Sequence, residues 1–137
     1  MKVKIDEGAF KPERAHELDA GYDLRAREQS MVVPAGGSAV FNTGVHMEIP
    51  SGFAGFIKSK SGLNVNHHIL SDGLVDSGYT GSIRVKLYNH GTEDYTVHRG
   101  DKISQIAILP VFTPDIEIVS ELNETERGES GFGSTGK

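Results

Sequence analysis

Residues 83–87, IRVKL, place three apolar side chains alternately with two cations. Residues 45–49, VHMEI, repeat this alternation. Successive side chains of a strand point to opposite faces, so a period of two predicts a strand with one buried face and one solvated face. These two stretches therefore favour a fold that is built from sheets.

The longest apolar run is ISQIAILPV at residues 103–111, which predicts a strand covered on both faces. Gln105 interrupts that run with a polar group that needs a hydrogen-bonding partner. Helical periodicity is missing, although residues 62–69 would accommodate a turn or a short helix. Turn signals are found at residues 34–37, 50–52, 71–73, 90–92, 99–101 and 113–115. The pattern predicts an all-β jelly roll or β-clip-type barrel over residues 1–122, followed by a polar lid at 123–137.

The composition restricts the class of protein. A chain of 137 residues fits one domain with one core, and its net charge of −5 argues against stable nucleic-acid binding, which needs clustered cations. No apolar run approaches membrane-spanning length, and the first ten residues, MKVKIDEGAF, do not resemble a signal peptide. Without Cys there is no disulfide framework. The expected location is cytoplasmic, with no membrane partner.

The C-terminal stretch RGESGFGSTG, residues 127–136, combines a cation, an aromatic ring, glycines and hydroxyls. Such a segment would not fold alone, but it could close over a ligand that carries a flat ring and phosphates. Phe132 would stack on the ring, while Arg127, Ser134 and Thr135 would hold phosphate oxygens. Termini rich in Gly and Ser are also commonly plain flexible tails, so the rest of the chain has to decide.

A second segment with chemical potential is GLVDSGYTG, residues 73–81. Asp76 lies among apolar residues and glycines, where partial burial would raise its pKa toward that of a general base. Asp-Ser-Gly is also common in turns, and retroviral-type aspartic proteases contribute one Asp-Ser/Thr-Gly per chain to a shared dyad. Tyr79 stands where the protease pattern needs a small residue, which argues against that alternative.

Two more segments place charges beside apolar residues. In AGYDLRA, residues 20–26, Asp23 lies between Tyr22 and Leu24. On a strand the Asp23 side chain would point to the opposite face of the sheet from those of Tyr22 and Leu24. It would then face either a polar site or solvent. Residues 58–63, KSKSGL, form a basic, serine-rich turn that suits phosphate, although most charged loops are simply solvated.

Taken together, the segments resemble the five ordered motifs of the trimeric dUTPase family, the deoxyuridine triphosphate diphosphatases. The matching stretches are AGYDLRA (20–26), KSKSGL (58–63), GLVDSGYTG (73–81), RGDKISQI (99–106) and RGESGFGSTG (127–136). The resemblance implies a jelly-roll homotrimer with active sites at subunit interfaces, dUTP as substrate and Mg²⁺ as cofactor. The products would be dUMP and pyrophosphate. This hydrolysis would limit uracil incorporation into DNA and would supply dUMP for dTMP synthesis.

The resemblance also implies roles for individual residues. Asp76 would deprotonate the water that attacks the α-phosphorus, Asp23 would hold a water of Mg²⁺, and Tyr79 would pack against the deoxyribose. Backbone groups at Leu74 would bind uracil. The remaining substrate-binding positions implied are Lys60, Ser61, Gly62, Gly73, Gln105, Arg127, Phe132, Gly133, Ser134 and Thr135. Lys60 departs from the family, which has Arg there, and an ammonium cannot reproduce a bidentate guanidinium contact.

Two other functions remain open at this stage. A dCTP deaminase would share the predicted architecture, but it would need a catalytic Glu in the hairpin region, where this chain has Asp76. A small trimer could also bind dUTP as a sensor and contact a regulatory protein partner, which the sequence does not identify.

Overall fold

The structure is a computed structural model that describes residues 1–130. Its strands are β1 (Lys2–Ile5), β2 (Gly21–Arg25), β3 (Ser30–Val33), β4 (Ser38–Asn42), β5 (Val45–Glu48), β6 (Phe53–Lys58), β7 (Ile69–Val75), β8 (Arg84–Asn89), β9 (Tyr95–His98) and β10 (Lys102–Pro110). The short helix α1 (Ser61–His67) overlaps the predicted window. The all-β prediction is confirmed. No helix within the described residues has the length and apolar character of a membrane span.

The strands form one large sheet and two small ones. The large sheet has the order β2-β10-β6-β7-β8-β4, and the small sheets are β1-β5 and β3-β9. Neighbouring strands are antiparallel throughout these sheets. The order of the large sheet is not the chain order, and it places strands from distant parts of the sequence side by side.

The core is built from the alternating stretches. On β8, Val85 and Leu87 are fully buried, whereas Arg84 and Lys86 are exposed. Strand β5 buries Val45 and Met47 in the same cluster. Each aliphatic side chain that is removed from water contributes roughly 1.5–3 kcal/mol, so one apolar face on each strand is enough to hold the sheets together.

Strand β10 differs from its prediction in its second half. Ile103 and Ser104 are adjacent and both buried, as expected for a strand covered on both faces. Toward the end of the strand Leu109 is 44% exposed. The prediction of two covered faces therefore holds only for the start of the strand, where the site described below is located.

The predicted turn at residues 71–73 is wrong. Ser71, Asp72 and Gly73 lie inside β7, and Gly73 is opposite Ile57 of β6. Cross-strand pairing outweighs the local turn preference of a Ser-Asp-Gly sequence. The turn predicted at residues 90–92 is found, between β8 and β9.

After Pro110 the chain forms no helix or strand as far as residue 130. Three apolar residues of this segment, Phe112, Ile116 and Ile118, are about nine-tenths exposed. Such exposure of large apolar groups is typical of a surface that contacts another chain.

The boundary between a domain at 1–122 and a lid at 123–137 stays a prediction. The structure describes the start of the lid, where Arg127 Nε donates to the Ser130 carbonyl at 3.0 Å. The other predicted lid positions lie outside the described residues: Phe132, Gly133, Ser134 and Thr135.

Candidate active site

The strand register brings the predicted segments next to one another. Gln105 of β10 is opposite Asp23 of β2 on one side and opposite Lys58 of β6 on the other. Lys58 is in turn opposite Asp72 of β7. A single row across the sheet therefore joins AGYDLRA, RGDKISQI, KSKSGL and the strand that leads into GLVDSGYTG.

Gly21 and Gln105 are in close contact across β2 and β10. A Cβ atom added at Gly21 would lie 2.6 Å from the side-chain oxygen of Gln105 and 3.1 Å from its Cβ. The Gln105 amide also donates to the Ser59 carbonyl at 3.1 Å. The glycine leaves room for the glutamine, and the glutamine connects to the KSKSGL turn.

Asp23 is a buried carboxylate held by two lysines. It is 5% exposed, and its Oδ1 and Oδ2 accept from Lys60 Nζ at 2.5 Å and from Lys102 Nζ at 2.7 Å. Burial by itself would raise the pKa of Asp23, but the hydrogen bonds and charges of Lys102 and Lys60 outweigh it and lower the pKa below its ordinary value. Asp23 is thus ionised at neutral pH and belongs to a polar site rather than to an exposed strand face.

Sequence reasoning missed Lys102. Regular alternation would put Lys102 and Gln105, three positions apart, on opposite faces of β10. The register shifts between Lys102 and Ser104, and such an irregularity re-aims the side chain beside it. Lys102 therefore reaches Asp23, and only a signal for the irregularity could have predicted this contact.

The backbone before Lys60 is fixed by a network of hydroxyls. Ser59 Oγ donates to the Ser71 carbonyl at 3.0 Å and accepts from the Ser71 amide at 2.8 Å. The Ser71 hydroxyl is 2.8 Å from that of Ser104, which is fully buried. This network holds the KSKSGL turn against the sheet.

Helix α1 begins directly after this turn. Lys60 is the residue before its first turn, and Ser61 and Gly62 are its first residues, both exposed. Among residues 1–130, no side chain caps the helix start. The three predicted substrate-binding positions are thus adjacent and accessible.

The predicted uracil-binding residues line a groove of about 300 Å³ at the end of β7. Its lining consists of Ile57, Asp72, Gly73, Leu74, Val75, Asp76, Tyr79, Ile83, Arg84 and Lys86. The groove therefore brings together four predicted site residues. Two cations of β8, Arg84 and Lys86, also line the groove. The sequence predicted the alternation of this strand but did not place these two residues at a site.

The hairpin beside the groove has its own internal hydrogen bonds. The Tyr79 amide donates to the Asp76 carbonyl at 3.0 Å, and Tyr79 Oη donates to the Ser82 carbonyl at 2.9 Å. A Cβ atom at Gly81 would overlap the Tyr79 ring, which lies directly over that glycine. Tyr79 is 46% exposed, so part of this residue is accessible to a ligand.

The partial burial predicted for Asp76 is not found in this chain. Asp76 is exposed, because it follows the last residue of β7 at the point where the backbone leaves the sheet. Residues 1–130 of one chain do not bury this carboxylate.

The two groups of site residues do not meet within the described residues. Asp23, Lys60 and Gln105 do not line the groove that contains Asp76. Arg127 is joined to neither group in the described residues, where its side chain donates to the Ser130 carbonyl. No cluster of three or more His, Asp or Glu side chains with metal-binding geometry is found among residues 1–130. The chain thus presents a charged half of a site and a groove-shaped half of a site.

Comparisons with known proteins connect this arrangement to one family. A family model described as dUTPase matches residues 9–136. The deoxyuridine 5'-triphosphate nucleotidohydrolase of Clostridium acetobutylicum is 45% identical, over 99% of this chain and 96% of that protein. The dUTPase of Staphylococcus bacteriophage 80alpha, solved with dUPNHPP, has a TM-score of 0.91 at 31% identity, over 99% of this chain and 98% of that one.

A further solved structure concerns metal binding. A mutant dUTPase from phage phi11 of S. aureus has a TM-score of 0.80 at 28% identity, over 88% of this chain and 96% of that one. It is described as revealing the coordination of a structural Mg(II) ion.

Proposed function

The chain belongs to the dUTPase family and hydrolyses dUTP, and we propose that Asp76 acts as the base that activates water for attack at the α-phosphorus. The observation that carries this role is the position of Asp76 in the groove beside Leu74 and Tyr79. An exposed carboxylate at the edge of a groove can accept a proton from a water bound next to the substrate. The products are dUMP and pyrophosphate.

Base catalysis alone typically supplies about 10² to 10⁴ in rate, so alignment and charge neutralisation have to supply the rest. We assign the phosphate contacts to the charged half of the site. Lys60, with Ser61 and Gly62 after it, offers one cation and several donors. Gln105 and Arg127 add an amide and a guanidinium, and the lid residues Phe132 to Thr135 would close over the bound nucleotide.

Asp23 fits an indirect role toward Mg²⁺. A carboxylate has about four lone-pair sites, and lysines occupy one on each oxygen, so Asp23 can still accept from a metal-bound water. Mg²⁺ retains its waters readily and, when bound, would neutralise charge on the triphosphate. The lysine contacts favour this outer position over direct ligation.

Specificity for uracil follows from the backbone at Leu74. An extended strand end presents fixed N–H and C=O groups, and cytosine reverses the donor and acceptor that uracil offers to them. Each mismatch would leave a buried group unpaired at a cost of about 1–3 kcal/mol. Tyr79 beside the sugar would exclude a 2′-hydroxyl because its ring is fixed over Gly81.

We propose that the complete site requires three copies of the chain. The separation of the groove from Asp23, Lys60 and Gln105 supports this assembly, since residues 1–130 of one chain do not unite them. The exposed apolar residues after Pro110 supply surface that a neighbouring copy would cover.

The decisive experiment is incubation with each of dUTP, dCTP, dTTP and UTP in the presence of Mg²⁺, with pyrophosphate release as the measurement. Release from dUTP far above the other three is expected. Conversion of dCTP to a deaminated nucleotide, with no pyrophosphate from dUTP, would contradict the proposal and favour the deaminase. Omitting Mg²⁺ in a parallel series tests the metal requirement separately.

A further inference from the structure

We propose that His46, held by Asp6, is a positioning residue for the dUTPase reaction: it fixes the carbonyl of Thr80 and thereby keeps Tyr79 in place against the deoxyribose. The inference rests on the proposed function, because it assigns to the Tyr79 ring the exclusion of a 2′-hydroxyl. Neither His46 nor Asp6 lies in the segments that carry the catalytic residues.

The contact connects the small sheet to the hairpin. His46 lies on β5, and its Nδ1 is 2.8 Å from the Thr80 carbonyl oxygen. Its Nε2 is 3.2 Å from Asp6 Oδ1, just beyond the end of β1. The His46 side chain is 18% exposed and that of Asp6 is 28% exposed, so water competes only in part for these hydrogen bonds.

Fixing Thr80 also fixes the tyrosine. The Thr80 carbonyl belongs to the peptide group that enters Gly81, and the Tyr79 ring lies directly over Gly81. The phenol is tied to the Ser82 carbonyl at 2.9 Å. Movement of the Thr80–Gly81 peptide would therefore move the surface on which the ring packs.

Both hydrogen-bonding partners of the His46 imidazole, the Thr80 carbonyl and the Asp6 carboxylate, are acceptors. A backbone carbonyl accepts only, and so does an ionised carboxylate. A neutral imidazole has one N–H and can donate to only one of them, whereas the imidazolium donates to both. The hydrogen bond from His46 is the largest cause that lowers the pKa of Asp6, which keeps Asp6 ionised as an acceptor.

Charged side chains of three segments surround the His46 imidazole. Asp6 contacts it, and Lys4 Nζ and Arg27 Nη1 each lie 3.5 Å from Asp6 oxygens. Lys2 and Glu48 line the same pocket as His46 and Thr80. Lys4 is also opposite His46 in the register of β1 and β5. The hairpin contributes the Thr80 carbonyl. Lys4 and Arg27 share Asp6 with His46, and among residues 1–130 it is His46 that has the hydrogen bond to the Thr80 carbonyl.

The test measures the ratio of kcat/KM for dUTP to kcat/KM for UTP at one pH. His46→Ala should lower the ratio about tenfold, mainly through KM for dUTP, because it removes the contact to Thr80. His46→Gln, which can still donate to Thr80 but cannot hold Asp6 at the same time, should give an intermediate ratio.

Lys4→Met is the matched control, because it removes a contact to Asp6 and leaves the His46–Thr80 hydrogen bond in place, and its ratio should equal that of the wild type. A second measurement does not depend on activity: the amide nitrogen shift of Gly81 should change in His46→Ala and stay at the wild-type value in Lys4→Met. An unchanged ratio in both His46 variants, or an unchanged Gly81 shift in His46→Ala, would overturn the inference. Absence of dUTP hydrolysis by the wild type would instead contradict the proposed function, and the Gly81 shift would still decide the positioning role.

Discussion

Lys60 Nζ lies 2.5 Å from Asp23 Oδ1, so the cation assigned to phosphate and the acid assigned to a metal-bound water are bound to each other in the free chain. An ammonium has three N–H donors, and Asp23 occupies one of them. The other two remain for phosphate oxygens. Lysine in place of the family's arginine thus preserves positive charge at the site, while the buried carboxylate fixes the direction from which that charge approaches the substrate.

Lys102→Met should lower the free energy of unfolding by about 1–3 kcal/mol, because it removes one of the two cations that satisfy a buried carboxylate. Lys58→Met is the matched control. Lys58 pairs with Asp72, but both side chains are more than half exposed, and pairs of that kind contribute about 0–1 kcal/mol. Urea unfolding at one protein concentration measures both variants. Equal losses would show that Asp23 does not depend on Lys102.

Asp23 should make stability depend on pH. Its pKa in the folded chain is lowered from 3.8, so the ionised carboxylate contributes stability that is fully present above 3.8 and is lost as pH falls toward the lowered value. Asp23→Asn cannot titrate. The difference in unfolding free energy between the wild type and Asp23→Asn should therefore be largest well above 3.8 and shrink below it. A difference that stays constant across a urea series at acidic and neutral pH would refute this coupling.

Asp76→Asn should reduce kcat by about 10² to 10⁴ while the affinity for a non-hydrolysable dUTP analogue is retained, because an amide of equal size cannot accept the proton. Asp72→Asn is the matched control, since Asp72 lines the same groove but pairs with Lys58. Its kcat should remain near that of the wild type. Pyrophosphate release and equilibrium binding measure the two quantities separately, and wild-type turnover in Asp76→Asn would remove the residue from its role.

The sequence predicts the parts of this molecule that depend on side-chain periodicity. The alternation around Val85 requires only a sheet with one dry face, and the structure has it. Contacts that depend on a change of register, such as Lys102 with Asp23, cannot be found by counting residues. The exposure of Asp76 was also missed, because local apolar neighbours indicate burial only when a second surface covers them.

Removing residues 127–137 should abolish most of the dUTPase activity and leave the assembly unchanged, because the described strands end at Pro110 and do not need this segment. Phe132→Ala alone should cost about 1–3 kcal/mol in transition-state binding if the ring stacks on the base. Deleting only Lys137, which follows the matched stretch, is the control and should leave the activity intact. Light scattering reports the mass of each variant; dissociation of the shortened chain would contradict a lid that acts only on the nucleotide.

Gly21→Ala should act on the reaction through Gln105. The new methyl group would lie 2.6 Å from the side-chain oxygen of Gln105 and 3.1 Å from its Cβ, so the amide has to leave its hydrogen bond to the Ser59 carbonyl. Because that bond is one of the links between β10 and the KSKSGL turn, KM for dUTP should rise while the fold is kept. A double-mutant cycle isolates the mechanism. In a chain that already carries Gln105→Ala, the added Gly21→Ala should have a much smaller effect on KM, since the amide is gone and only the 3.1 Å contact with the Cβ of residue 105 remains. If the two effects on KM simply multiply, the glycine serves the strand backbone rather than the position of the glutamine.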